Sequence, residues 1–511
     1  MKLKAVVLGY ESGHYTVLLD NEVAEKLDLR ANDRVRVSFE DREVIAIVTL
    51  AKNFPKDSIG LYDDVARALG VRDGQLVEVE AVEPPASLKI VRKKLARARL
   101  TPEEARQIIQ DIVDGKISEI ELTAFVTALH FQGMAVEEAL NFTTAMVDTG
   151  ERLRLDRRPI LDKHSLGGVP GDKTSILVVP IIASLGYTIP KTSSRAITSA
   201  AGTADRMEVL APVSLSIEEM RRVVEKTNGC IVWGGSLRLA PADDIIIRVE
   251  YPLGIDPFFV PSILAKKLAV GSTHVVLDIP TGRGTKARTI EDARRIARDF
   301  IDIGGRLGLN IVAVSTYGEE PVGHAVGPAL EAREALQALM TMKPSDVVDK
   351  AVSIAGVLLE MVGTPNGREV ALRAIRTGKA ERKLREIIEA QGGDPGVKPE
   401  DIPVGDKVFT LYAEEEGFVF FIDNALIALT GKTAGAPRDK GAGVYVHVKL
   451  GDKVKKGDPL LTVYAESSVK LQAAEKLLMD SRPVRISRLV GRRMLLEKID
   501  LAAARAVTLE R

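Results

Sequence analysis

Two hydroxyl-rich loops hold the residues best suited to chemistry. The first runs from Asp162 and Lys163 through His164, Ser165, Gly167, Gly168 and Gly171 to Ser175. Its glycines let backbone N–H groups close on an anion, Lys163 brings charge, and the hydroxyls of Ser165 and Ser175 can complete an oxyanion shell. A Gly-rich turn after a strand has the same appearance, and the G-x-x-x-x-G-K-[ST] spacing of a Walker loop is absent. The second loop runs from Lys191 to Asp205. Between Ser193 and Thr203 it carries five hydroxyl side chains (Ser193, Ser194, Thr198, Ser199 and Thr203) together with Arg195. Bulky apolar anchors are nearly absent, so the stretch suits a ligand loop or a solvated loop better than a core. Two such loops in one domain point to two anion sites.

Both loops belong to a region, residues 159 to about 430, where strand-like and helix-like segments alternate. Ile176–Ile182, His274–Ile279 and Asn310–Ser315 are apolar strand candidates, and Ile290–Ile303 and Ala329–Met340 have helical spacing. Alternation of this kind implies a sheet covered by helices, here expected as an α/β domain with a mixed sheet. Upstream, residues 87–158 are helical in pattern. Thr101-Pro102-Glu103-Glu104 combines an N-cap hydroxyl, a proline in the first turn and acids facing the helix dipole. Ser118-Glu119-Ile120-Glu121 offers a second, capping-box start. The stretch from about 239 to 270 is helical again and is expected to rejoin this unit.

The first 86 residues contain a repeat visible at a shift of 42 positions. Val23-Ala24, Leu27, Leu29, Val35 and Val37 fall on Val65-Ala66, Leu69, Val71, Val77 and Val79. Each copy reads as a short helix, a turn at Asn32-Asp33 or Asp73-Gly74, and an alternating strand. Two copies resemble a double-psi β-barrel. Residues 83–87, Glu-Pro-Pro-Ala-Ser, then read as a linker. Residues 431–511 show short strands punctuated by turns, expected as a small α+β domain ending in a basic, helix-like stretch.

Composition narrows the classes. Lys+Arg and Asp+Glu are both 71, which removes the electrostatic drive of a dedicated nucleic-acid binder. Cys230 is the only cysteine, so an intrachain disulfide and a multi-Cys metal site are excluded. A reducing, cytoplasmic setting is expected, and no secretory leader or membrane span is apparent.

Taken together, Lys163-His164-Ser165-x-Gly167-Gly168-Val169, Ser193-x-Arg195, Gly202-Thr203-x-Asp205 and Glu208 resemble the thymidine/pyrimidine-nucleoside phosphorylase superfamily. Arg248 with Ser262 through Lys267, then Asp278, Gly282, Gly284 and the run Ala325–Glu334, match further stretches of it, and the likeness spans about 88–511. The second loop, Ser-Arg-Ala-Ile-Thr-Ser, and the N-terminal repeat depart from the nucleoside enzymes and look like the archaeal AMP phosphorylase branch. That branch joins a nucleoside 5′-monophosphate and inorganic phosphate to give free base and ribose 1,5-bisphosphate.

The resemblance implies a nucleotide site at Gly168, Ser194, Arg195, Ala196, Ile197, Thr198, Ser199, Thr203, Ser262 and Lys286. It implies an inorganic-phosphate site at Lys163, Ser165, Ser175 and Ser193, with Thr203 common to both sets. Asp256, also readable as a turn residue ahead of Pro257, matches the proposed proton donor, with partial burial expected. His164 is the rival acid, and His164, Arg248 and Lys266 are candidate base contacts, although Arg248, Ser262 and Lys266 could equally brace helices. Phosphate is a co-substrate, no cofactor or metal is expected, and a homodimer or larger homo-oligomer is. The competing readings are a phosphorylase of unphosphorylated nucleosides, an anthranilate phosphoribosyltransferase-like enzyme needing magnesium, and a non-enzymatic adaptor built on the barrel.

Overall fold

The computed structural model describes residues 1–83, 85–196 and 199–487. Ile197, Thr198, Pro84 of the expected linker and the basic C-terminal stretch lie outside the described residues. The N-terminal repeat forms β1 (Lys2–Val7), β2 (Thr16–Asp20), α1 (Asn21–Lys26) and β3 (Arg34–Phe39), then β4 (Arg42–Ala51), β5 (Ser58–Leu61), α2 (Asp63–Leu69) and β6 (Leu76–Val82). These six strands close into a barrel. β1 pairs in parallel with β5 and β2 with β4, and the remaining pairs are antiparallel. Exchanging β1 with β4, β2 with β5 and β3 with β6 leaves this set of pairings unchanged, so the repeat read in the sequence is a repeat of structure. Its shared positions Val35, Val37, Val77 and Val79 are buried in the barrel core.

The helical unit contains α3 (Ser87–Leu95), α4 (Pro102–Val113), α5 (Glu119–Gln132) and α6 (Val136–Asp148). Both expected capping boxes are present, at Thr101 with Glu104 and at Ser118 with Glu121. α10 (Pro241–Leu253) and α11 (Phe259–Ala269) pack on this unit: Ile246, Val249 and Ala265, with Phe258 ahead of α11, join the core of Ile108, Ile112, Phe125 and Phe142. The barrel docks here: Arg34, almost fully buried, donates from Nε to the Lys116 carbonyl at 2.9 Å and pairs with Glu121.

Between these segments lie β7 (Leu161–Ser165), α7 (Thr174–Ser184), β8 (Ile189–Ser193), α8 (Thr203–Met207), α9 (Ile217–Thr227) and β9 (Gly229–Trp233). After α11 come β10 (His274–Thr281), α12 (Ile290–Arg306) and β11 (Asn310–Tyr317). The order is β11-β10-β7, continued by an Ile160–Thr188 bridge to β8-β9. Every pairing is parallel, which corrects the mixed sheet expected from the sequence. Helices separate successive strands, so each strand re-enters the sheet in the same direction. A second correction concerns Ile176–Ile182, expected as a strand but part of α7. Ile176 to Val179, Ile181 and Ile182 are all fully buried, and a segment apolar on every side carries no period to separate helix from strand.

Next come β12 (Ala325–Val326), α13 (Pro328–Thr341), α14 (Ser345–Met361), α15 (Gly367–Arg376) and α16 (Lys379–Ala390), of which α14 packs on β7, β10 and β11. A terminal unit follows: β13 (Lys407–Tyr412), β14 (Gly417–Ile422), α17 (Asn424–Thr433), β15 (Gly443–Val446), β16 (Lys453–Val454), β17 (Pro459–Ala465), α18 (Ser468–Ser481) and β18 (Val484–Ser487). β13 pairs with β17, and β14 with β16 and β18. This unit therefore begins upstream of the expected division at 430.

Candidate active site

The carboxyl ends of β7, β8 and β10 are where parallel sheets present ligands. β7 delivers Lys163, His164 and Ser165 there, and the glycines after it turn the chain into α7. Lys163 Nζ is buried, 3.6 Å from Asp278 Oδ2 and 3.9 Å from Asp172 Oδ2. Lys350 on α14 approaches the same two oxygens, at 3.1 and 3.4 Å. Ser165 Oγ donates to Asp172 Oδ2 at 2.9 Å, and Thr316 Oγ1 to Asp278 Oδ1 at 2.6 Å. Burial opposes the charge on Asp172, but Lys163 and Lys350 outweigh it and hold the carboxyl well below the usual range. Ser175 is buried in the first turn of α7.

Beside this group, Asp162 anchors α11 by accepting from Lys267 Nζ at 2.8 Å and from Ser272 Oγ at 3.2 Å. His164 keeps some exposed surface, yet burial of its ring and then Lys267, Lys191 and Lys163 hold it well below the ordinary histidine range. The imidazole is therefore neutral near pH 7. Lys191 is also pushed well down, first by burial and then by Lys267.

The second loop is shaped by its own acid. Asp205 Oδ2 accepts from the Ala196 N–H at 2.7 Å and the Gly202 N–H at 2.9 Å, which draws the described ends of the loop together. Arg206, buried, then ties the two loops to each other, donating to the Asp172 carbonyl and the Ala201 carbonyl, each at 2.8 Å. Arg195 grips Glu208 with both Nη atoms and lies 4.9 Å above the Trp233 ring. Lys440, from the terminal unit, also reaches Glu208, at 2.6 Å. Hydrogen bonding from Arg195, helped by Lys440, brings the Glu208 carboxyl down to about 2. Ser193 and Thr203 are half-buried and Ser194 exposed along this loop.

A third loop, Gly282–Lys286, touches the first. A Cβ on Gly168, whose φ is +89°, would lie 2.9 Å from Thr285 Cα, so only glycine fits that approach. Lys286 then reaches over to the helical unit: Nζ is 3.1 Å from Asp256 Oδ2 and 3.8 Å from the Phe259 ring centre. Ser262, half-buried, follows Phe259 by one turn of α11.

Most of the expected residues lie on the loops that follow β7, β8 and β10, and Asp256, paired with Lys286, lies on the helical unit. Of the two readings of Arg248, the structure shows a brace: it is exposed and donates to the Gly13 carbonyl of the barrel at 3.3 Å. Asp256, in the turn between α10 and α11, is 47% exposed. Lys266 is paired with Asp243. Sequence reasoning missed Lys350, Lys440 and Trp233. No local motif marks any of the three, and each arrives from a distant element. Asp172 sat unremarked inside the first loop.

Comparison with known proteins agrees with this layout. Residues 88–150 match the helical bundle domain of a glycosyl transferase family, 157–381 its a/b domain, and 418–484 the pyrimidine nucleoside phosphorylase C-terminal domain. The AMP phosphorylase of Thermofilum pendens is 68% identical over 511 residues, 100% of both chains. That of Thermococcus kodakarensis is 49% identical over 500 residues, 97% of this chain and 99% of its own. AMP phosphorylase 1 of Archaeoglobus fulgidus is 48% identical over 495 residues, 96% and 98% of the two chains. Anthranilate phosphoribosyltransferase from Thermus thermophilus is a distant structural likeness, at 20% identity, TM-score 0.48, 59% of this chain and 98% of its own. Since the relatives align through the barrel as well as through the three loops, the chain belongs to the AMP phosphorylase family.

Proposed function

We propose that the protein cleaves the N-glycosidic bond of AMP with inorganic phosphate, releasing adenine and ribose 1,5-bisphosphate. CMP and UMP are further substrates of the same chemistry. The observation that carries this reading is Arg206, which pins two hydroxyl- and amide-rich loops together. Loops joined in this way would keep two bound phosphates at a fixed separation. The attacking phosphate takes the first loop, held by Lys163, Ser165 and Ser175 with Ser193, while Thr203 serves either anion. The nucleotide's own phosphate and sugar lie along Gly168, Ser194, Arg195, Ala196, Ser199 and Lys286, with Ile197 and Thr198 completing the set and Ser262 at the wall.

In the reaction a phosphate oxygen bonds to C1′ as the C1′–N bond breaks, and that electron pair leaves with the base. Holding both partners in one orientation supplies much of the acceleration. The departing ring takes its proton from Asp256, released from Lys286 as the substrate enters. A base seated over Asp256 excludes water from that carboxyl, the condition under which an acid of this kind works. His164, neutral and set among lysines, donates a hydrogen bond to the base with Lys266 nearby. No cofactor or metal enters this scheme.

The exchange symmetry of the barrel pairings supports the double-psi type. Barrel and terminal unit together suit assembly into a homodimer or larger homo-oligomer. No helix among the described residues is long and apolar enough to cross a membrane, and we place the reaction in the cytoplasm. The test is to incubate the protein with phosphate and either AMP or adenosine and to measure released adenine. AMP is expected to react far faster. Equal rates would remove the second phosphate grip and return the protein to nucleoside phosphorolysis.

A further inference from the structure

Lys350 belongs to a buried group of four charged side chains although nothing in its local sequence marks it. It lies on α14, 187 positions after Lys163, and its side chain is only 8% exposed. Lys163 and Lys350 face the same oxygens of Asp172 and Asp278, so two ammonium groups meet two carboxylates and the charges cancel. Among the described residues, neither Lys350 Nζ nor Asp278 Oδ2 has a well-formed hydrogen bond. The group is thus balanced in charge but not saturated in donors. Burial works against the Lys350 charge, and Asp172 and Asp278 more than offset it, so the amine stays protonated.

We propose that Lys350 is a positioning residue of the inorganic-phosphate subsite: by sharing Asp172 and Asp278, it leaves Lys163 and Ser165 able to turn to the attacking phosphate. Without it, two carboxylates would draw Lys163 inward, and one uncompensated negative charge would face an incoming dianion. Ser165, which donates to the same Asp172 oxygen, would be held more tightly as well. A plain structural brace would affect stability and both substrates alike. The proposal rests on the assignment of Lys163 to phosphate.

The experiment is steady-state kinetics of the full-length protein, varying phosphate and AMP separately, for Lys350→Met, Lys350→Arg and the double variant Lys350→Met/Asp278→Asn. Loss of a charged contact of this class should raise KM for phosphate roughly tenfold to a hundredfold in Lys350→Met, with KM for AMP nearly unchanged. Lys350→Arg keeps the charge and should retain most of the phosphate affinity. The double variant rebalances one lysine against one aspartate and should recover part of it. An unchanged phosphate KM in Lys350→Met, a parallel rise in both KM values, or no recovery in the double variant would overturn the proposal. If Lys350→Met fails to fold by circular dichroism, Lys350→Gln, which keeps a donor and loses the charge, carries the same expectation. Lys163→Met is the control: if it leaves KM for phosphate unchanged, the phosphate assignment itself has failed.

Discussion

At the floor of the cleft Lys163 and Lys350 share Asp172 and Asp278 with side chains no more than 8% exposed. At its rim Lys286 meets Asp256 with both side chains almost half exposed. The residue types are the same, and the surroundings set what they do. Desolvated charges must be mutually compensated, and removing one strands its partners at a cost of about 3–5 kcal/mol. An exposed pair is screened by water and contributes about 0–1 kcal/mol. The floor is therefore a preset platform, whereas the rim pair, which joins the helical unit to the α/β unit, can part at little cost when a ligand enters. In the proposed reaction, rigid charge lies beside the attacking phosphate and breakable charge beside the entering nucleotide.

That contrast can be tested from both sides. Asp256→Asn should lower kcat by about 10²- to 10⁴-fold while AMP affinity and thermal midpoint stay near the parent values. Unchanged turnover would exclude Asp256 as the proton donor and make the rim pair a latch only. Asp278→Ala should cost about 3–5 kcal/mol of unfolding free energy in a denaturant titration, because it leaves Lys350 with one carboxylate fewer in a dry site. A loss below about 1 kcal/mol, the size of an exposed pair, would show the floor to be wetter than its burial indicates.

Glu250 separates burial from pairing. It lies behind Asp256, accepts from the Phe258 N–H at 3.1 Å, and is pushed up to about 8 by burial, with Asp256 and Asp243 adding to the shift. Between the ordinary carboxyl value of 4.5 and about 8 the folded chain holds a proton that the unfolded chain has released. Stability must then fall as pH rises through that window. Glu250→Gln keeps the acceptor and removes the titration, so its thermal midpoint should decline less from pH 5 to pH 8. Profiles that run parallel would show that Glu250 is not the group responsible. The smallest effect belongs to Lys286→Met, which should change unfolding free energy by less than about 1 kcal/mol. A larger loss would mean that the rim is part of the rigid frame.

Much of the fold was legible where the physics is local. The capping boxes at Thr101 and Ser118 are decided by residues three positions apart, and the barrel repeat by a pattern copied within one stretch of chain. Residues 274–279 and 310–315 lie in strands, as their apolar runs between turn residues imply. The run 176–182 was misread because a helix buried on all sides loses the period that identifies it. In the site, loops one and two could be recognised because their glycines and hydroxyls are contiguous. Lys350, Lys440 and Trp233 could not, since each is an ordinary residue of its own element and acquires a role only by proximity.

The sequence by itself determined where hydroxyls, glycines and basic side chains cluster, where helices start, and that the first 86 residues are built twice. Those properties depend on neighbours a few bonds away. Only the tertiary structure decided that Lys163 has a second lysine across two shared carboxylates, that Arg248 braces the barrel, and that Asp256 stands at an exposed rim. Electrostatic roles depend on distance through space and on the removal of water, and neither is set until the chain has packed.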